Sequence, residues 1–167
     1  KGRYLLMTTI SNILIATDLS ERSDRAMARA VKLAEEHGAK LTALSVLDDA
    51  MPDDLIAPLQ GRVTDRLAQV PQDLGAEIDF DPVVLAGEPT EVILTQVATR
   101  RPDLLVLGTH RPRLFLDGLR ETTMQRIVRN TDSSVLLVCQ PANDAYQAID
   151  LATDFSPACN AAMHLSG

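Results

Sequence analysis

Leu104 to Leu107 is a short apolar run cut off by Gly108, and no other feature of the chain restricts the fold more. A run of that length with no polar alternation suits a strand buried on both faces, as in a parallel sheet covered by helices. A polar, Arg-rich loop follows through Asp117. Leu119, Ile127 and Val128 then fall at roughly helical spacing, and Ser134 to Val138 reads as a second buried strand. Strand, glycine, long loop, helix and strand is the layout of a crossover that cradles an anion. Backbone N–H groups of the loop and the helix start would face it.

The rest of the chain repeats the alternation. Ile13 to Ala16 predicts a first strand with Thr17 and Asp18 at its carboxyl end. Ser20 is placed to cap a helix whose apolar face is Ala26, Ala30, Leu33 and Ala34, and Gly38 to stop it, with His37 at its end. Leu41 to Leu47 predicts the second strand. Leu55, Leu59, Val63, Leu67, Val70 and Leu74 trace the apolar face of a second helix, with Pro58 in its first turn and Pro71 kinking or ending it. Ile78 to Leu85 predicts a third strand, which Pro82 assigns to a sheet edge. Gly87-Glu88-Pro89 opens a third helix whose Val92, Ile93 and Val97 face inward, and Pro102 closes it. Alternating strands and helices imply an α/β domain with a parallel sheet and right-handed crossovers.

From Thr8 to Gln140 this series resembles the universal stress protein family. The motif of that family is a glycine, two residues, a second glycine, nine residues, then a glycine followed by Ser or Thr. The register fits without a gap: Gly108 matches the first position and Thr122 the last, but Arg111 and Glu121 stand where the other two glycines belong. The resemblance implies a Rossmann-like five-stranded sheet in the order 3-2-1-4-5 with helices on both faces, of the adenine nucleotide alpha hydrolase type. In that order the chain reverses between strands one and four, where a ligand crevice forms outside the strand carboxyl ends.

It also implies nucleotide-binding candidates: Thr17, Asp18, Val46, Gly108, Arg111 and Thr122. Asp18 either meets a base, ribose or Mg²⁺, or caps the turn into the first helix. Val46 either offers its backbone to adenine or is a core valine. Gly108 either admits a phosphate or makes a plain tight turn. At a glycine position Arg111 adds a Cβ where backbone should touch phosphate, although its guanidinium pairs well with one. Glu121 brings negative charge to the helix start. ATP binding is therefore expected to be weak or lost, so no cofactor is required, with ATP or ADP the candidates. The loop containing His110, Arg111, Arg113 and Arg120 keeps a small anionic ligand in view.

A net charge of −7 argues against a nucleic-acid partner, which would need phosphates neutralised. No apolar run approaches the ~20 residues of a membrane helix. With 46% hydrophobic residues but no Trp and 3% aromatics, the core must be aliphatic. Cys139 and Cys159 read as reduced thiols, which places the chain in the cytoplasm.

The end of the chain repeats its beginning. Ile149, Ala152, Thr153, Asp154, Ser156, Ala162 and Met163 match Ile13, Ala16, Thr17, Asp18, Ser20, Ala26 and Met27 at a constant offset of 136. The expected organisation is an N-terminal extension or tag remnant over 1–7, a universal stress protein domain over 8–140, a linker over 141–145, and the incomplete start of a second copy over 146–167. One strand and part of a helix cannot bury a core, so that tail is expected to borrow a surface or stay mobile; the nearest surface is the strand-five side of the first domain, and exchange with a neighbouring molecule or a separate chain is the second route.

The functional expectation is a non-enzymatic stress-response module with a degenerate nucleotide loop, acting as a homodimer or tandem pseudo-dimer through the fifth strand. The alternative is an ATP- or ADP-binding regulator with slow or no hydrolysis. An enzyme acting on an adenylated substrate finds no base, nucleophile or metal set in the sequence. A phospho-receiver reading fails for want of a lysine after strand five, where Cys139-Gln140-Pro141 stands.

Overall fold

The computed structural model describes residues 9–109 and 122–146. Among these the elements are, in order, β1 (Asn12–Thr17), α1 (Glu21–His37), β2 (Lys40–Leu47), α2 (Asp53–Asp73), β3 (Phe80–Ala86), α3 (Pro89–Arg100), β4 (Leu104–Gly108), α4 (Thr123–Asn130) and β5 (Ser134–Val138). The strands form one parallel sheet in the order β3-β2-β1-β4-β5. β1 therefore lies between β2 and β4, and the expected reversal between strands one and four is present.

Strand side chains alternate between two cores. Ile13, Ile15, Leu41, Ala43 and Val106 point to one face and pack with Ala26, Ala30 and Ala34 of α1 and Val63 and Leu67 of α2. Leu14, Leu44, Leu105 and Leu107 point to the other and pack with Ile93 and Val97 of α3 and Ile127 of α4. The three alanines of α1 are fully buried. Their small size lets that helix lie close to the strands.

The helix ends follow local chemistry. Ser20 caps α1 by accepting from Ser23 N–H, and Gly38 closes it in the left-handed conformation at φ 62°. Glu88 caps α3, with Pro89 at the first helical position. Gly87 precedes it at φ 148°, and a Cβ there would lie 2.7 Å from Val92 Cγ2. Glycine is thus demanded twice, by conformation and by space. Val92 is half-buried against that turn, whereas Ile93 and Val97 are fully buried.

β3 is an edge strand, as Pro82 requires. Leu41 N–H donates to Asp79 C=O and Gly87 N–H to Leu47 C=O, so odd-numbered residues of this strand face β2. Pro82 is even-numbered, and its missing N–H falls on the outer edge.

Several expectations are corrected. β3 begins at Phe80 rather than Ile78, because pairing starts at Leu41 opposite Phe80; Ile78 still packs on the core. α2 begins at Asp53, which moves Pro58 into the second turn, and it continues two residues past Pro71. Leu55 and Leu74, at the two ends of the expected apolar stripe, are 56% and 49% exposed, while Ile56, Leu59 and Val70 between them pack on the core. On α4 only Ile127 is buried, and Val128 points to solvent. The loop 110–121, with Arg111 and Glu121, lies outside the described residues, as does the tail beyond Tyr146.

Candidate functional site

The carboxyl ends of β1, β2 and β4 frame the crevice. β1 ends first: its last pairs are Thr17 with Ser45 and Ala16 with Leu107. β2 continues past it through Val46 and Leu47, and β4 ends at Gly108, level with Thr17. A notch is left over the end of β1, bordered by Val46 on one side and Gly108 on the other.

Backbone alternation decides what faces the notch. Lys40 N–H donates to Ser11 C=O and Leu41 N–H to Asp79 C=O, so even-numbered residues of β2 face β1. Val46 is one of these. Leu19 is the residue that would meet its carbonyl if β1 continued. Instead Leu19 takes the left-handed conformation at φ 58°, and its N–H donates to Thr17 Oγ1 at 3.0 Å. The carbonyl of Val46 thus lies beyond the end of the β1 ladder. Its side chain is half-buried and packs with the α3–α4 core, so Val46 serves as a core residue and as an edge at once.

Thr17 is buried, and its hydroxyl donates to Ser23 Oγ at 3.0 Å. Asp18 is exposed at the rim. Its Oδ1 accepts from Ser20 N–H at 3.0 Å and from Ser23 Oγ at 2.7 Å. Partial loss of water works against its charge. The hydrogen bonds from Ser20 and Ser23 outweigh that loss and hold the carboxyl below its usual range. Of the two readings of Asp18, these bonds realise the turn cap, with the carboxylate charged at the notch. Gly108 is the last ladder residue of β4, opposite Val138, rather than a turn residue. Thr109 N–H extends that pairing by donating to Val138 C=O at 3.1 Å.

On the far side of the notch α3 and α4 present their N-termini. Thr122 is the N-cap of α4, in a reciprocal box: Gln125 N–H donates to Thr122 Oγ1 at 3.3 Å, and Thr122 N–H donates to Gln125 Oε1 at 2.9 Å. Two of the N–H groups that could hold an anion are therefore already bonded within the helix. Glu88 does the same for α3, accepting from Glu91 N–H at 2.8 Å and Thr90 Oγ1 at 3.0 Å. Arg126 of α4 reaches it at 3.3 Å and ties the two helix starts together. The Glu91 N–H foremost, then the Thr90 hydroxyl and Arg126, lower the pKa of Glu88.

The structure thus brings Thr17, Asp18, Val46 and Gly108 to one notch and sets Thr122 at the start of α4. Arg111 lies outside the described residues. Ser23, Gln125 and Arg126 were not singled out from the sequence, and Glu88 was placed only within the start of the third helix. Gln125 was legible, since Thr-x-x-Gln ahead of a helix is a capping-box signature. The Glu88–Arg126 pair joins two separate helices and leaves no local trace. Among the described residues no three His, Cys, Asp or Glu side chains gather to hold a metal. No helix among them is long and apolar enough to cross a membrane. A groove of about 510 Å³ beside Val97, Arg101, Asn130 and Asp132 opens at the amino ends of β4 and β5, away from the notch.

The sequence profile of the universal stress protein family matches residues 9–138. The chain belongs to the universal stress protein family. It is 29% identical over 136 residues to the universal stress protein A homolog of Haemophilus influenzae, covering 76% of this chain and 94% of that protein. A universal stress protein of Thermus aquaticus is likewise 29% identical, over 75% of this chain and 96% of its own length. Among solved structures, the universal stress protein UspA from Lactobacillus plantarum superposes with a TM-score of 0.64 at 25% identity, over 78% of this chain and 98% of that one. In this universal stress protein the sheet order is the one that the family resemblance implied.

Proposed function

We propose that this universal stress protein is a non-enzymatic stress-response module that keeps the adenine side of a nucleotide crevice but has a degenerate phosphate side. The observation that carries this reading is the Thr122–Gln125 box, which commits α4 N–H groups internally at the position where the family motif ends. Arg111 and Glu121 in place of glycines point the same way. Asp18 and Glu88, both held charged, add negative potential around the notch. Their bonds tie them into helix caps rather than to a nucleophile. A cytoplasmic setting accords with two cysteines in 167 residues.

The alternative, an ATP- or ADP-binding regulator, draws support from the open carbonyl edge of Val46. One related fold is described in complex with cAMP, and another, from Archaeoglobus fulgidus, in complex with dAMP. Pairing through β5 belongs to the same proposal: β5 ends the sheet, and Leu137 on it is 40% exposed.

Calorimetric titration of the whole chain with Mg-ATP and with AMP separates the two. Absent or millimolar-range ATP binding supports the degenerate module, and micromolar binding promotes the regulator. Arg111→Gly combined with Glu121→Gly is expected to tighten ATP binding. Weaker binding in Arg111→Gly alone would make that arginine a ligand.

A further inference from the structure

Arg29 lies on α1, away from the notch, and is 6% exposed. Among the described residues no carboxylate pairs with it. Its cover is the chain after β5. One terminal nitrogen donates to Asp144 C=O at 2.7 Å, and the guanidinium carbon sits 4.2 Å from the centre of the Tyr146 ring. One turn along the helix, Lys32 Nζ reaches Asn143 C=O at 3.4 Å. A carbonyl and an aromatic face are the two neutral surfaces that suit a guanidinium best. Neither contact arises from chain proximity, since Arg29 and Asp144 are 115 residues apart.

We propose that the α1 face bearing Arg29 and Lys32 is a docking surface for residues 143–146 of the same chain, and that these residues form a releasable strap. Two observations give it direction. The strap draws the chain from the end of β5 across onto α1, so that Tyr146 rests on the α1 side of the sheet. The outer edge of β5, which has only β4 as a neighbour among the described residues, is left unpaired by it. A third observation makes it releasable: Arg29 Nε is buried and, among the described residues, has no hydrogen-bond partner. Closing the strap gains a charged hydrogen bond and a stacked ring but withholds water from that nitrogen. Opening it frees the terminal nitrogen and the ring face, and a partner that takes up either Tyr146 or the β5 edge can shift the strap toward the open form.

Tyr146 is the natural reporter, because the chain has no Trp and its one other tyrosine is Tyr4. In full-length protein carrying Tyr4→Phe, acrylamide quenching of Tyr146 is measured beside cleavage on the amino side of Asp144 by an Asp-directed protease. Arg29→Met is expected to speed that cleavage about tenfold and to raise quenching toward that of free tyrosine. Arg29→Lys keeps the charge without the planar stack and is expected to fall between. Tyr146→Ala, read by cleavage alone, leaves α1 untouched and decides the matter if Arg29→Met fails to fold. Cleavage in Tyr146→Ala at the rate of the parent chain, or quenching in Arg29→Lys identical to the parent, overturns the strap.

Discussion

The two banks of the notch are built on opposite principles. On the β1–β2 bank the chain turns away early: Leu19 goes left-handed, Thr17 takes its N–H, and the Val46 carbonyl is left at an unfinished ladder. On the α3–α4 bank side chains close what the backbone leaves open. Glu88 and the Thr122–Gln125 box fill the helix starts, and Arg126 joins them. One bank is left as an unfinished ladder, and the other satisfies several of its own N–H groups with side chains. The two banks can differ because each is set by a few capping residues outside the core.

The largest effect expected is at Gly87, on which the α3 bank turns. Gly87→Ala forces a Cβ against Val92 in a conformation foreign to L-residues. It should cost about 2–3 kcal/mol in urea unfolding. A loss below about 0.5 kcal/mol would mean that the turn relaxes freely and the bank is not rigid.

Ser23→Ala tests the other bank. It removes the hydroxyl shared by Thr17 and Asp18, for a loss of about 1–2 kcal/mol, and should raise the Asp18 pKa as read by NMR titration. An unchanged Asp18 titration would detach that carboxylate from the turn.

Gln125→Ala opens half of the α4 box. We expect about 1 kcal/mol of lost stability, together with tighter phosphate or ATP binding as the Thr122 N–H is released. Lost stability with no gain in anion affinity would show that the box is not what closes this bank.

The smallest effect is the pH response. Asp18 and Glu88 both titrate below their usual range when folded. The unfolded chain then binds the proton more readily, so stability is full above the ordinary carboxylate range and falls as pH drops through the folded values, below about pH 4. Ser23→Ala should flatten this fall through Asp18, and Arg126→Met through Glu88. Circular-dichroism melts between pH 3 and pH 7 read both.

Local sequence was enough for whatever depends on neighbours along the chain. The β5 bounds, the Ser20 and Gly38 ends of α1, and the edge position of β3 all follow from short-range chemistry: a β-forming apolar run, a hydroxyl within reach of free N–H groups, a ring without an N–H. The motif register pointed to the family, and the family resemblance to the sheet order. Tertiary structure alone decided how far each strand runs beyond its neighbour, and so that Val46 has an open carbonyl. It alone decided which half of α4 is wet, that Glu88 meets Arg126, and that Arg29 is buried beneath Tyr146. Those facts depend on distances between segments remote in sequence. Periodicity along one segment says which face is apolar, not what will cover it.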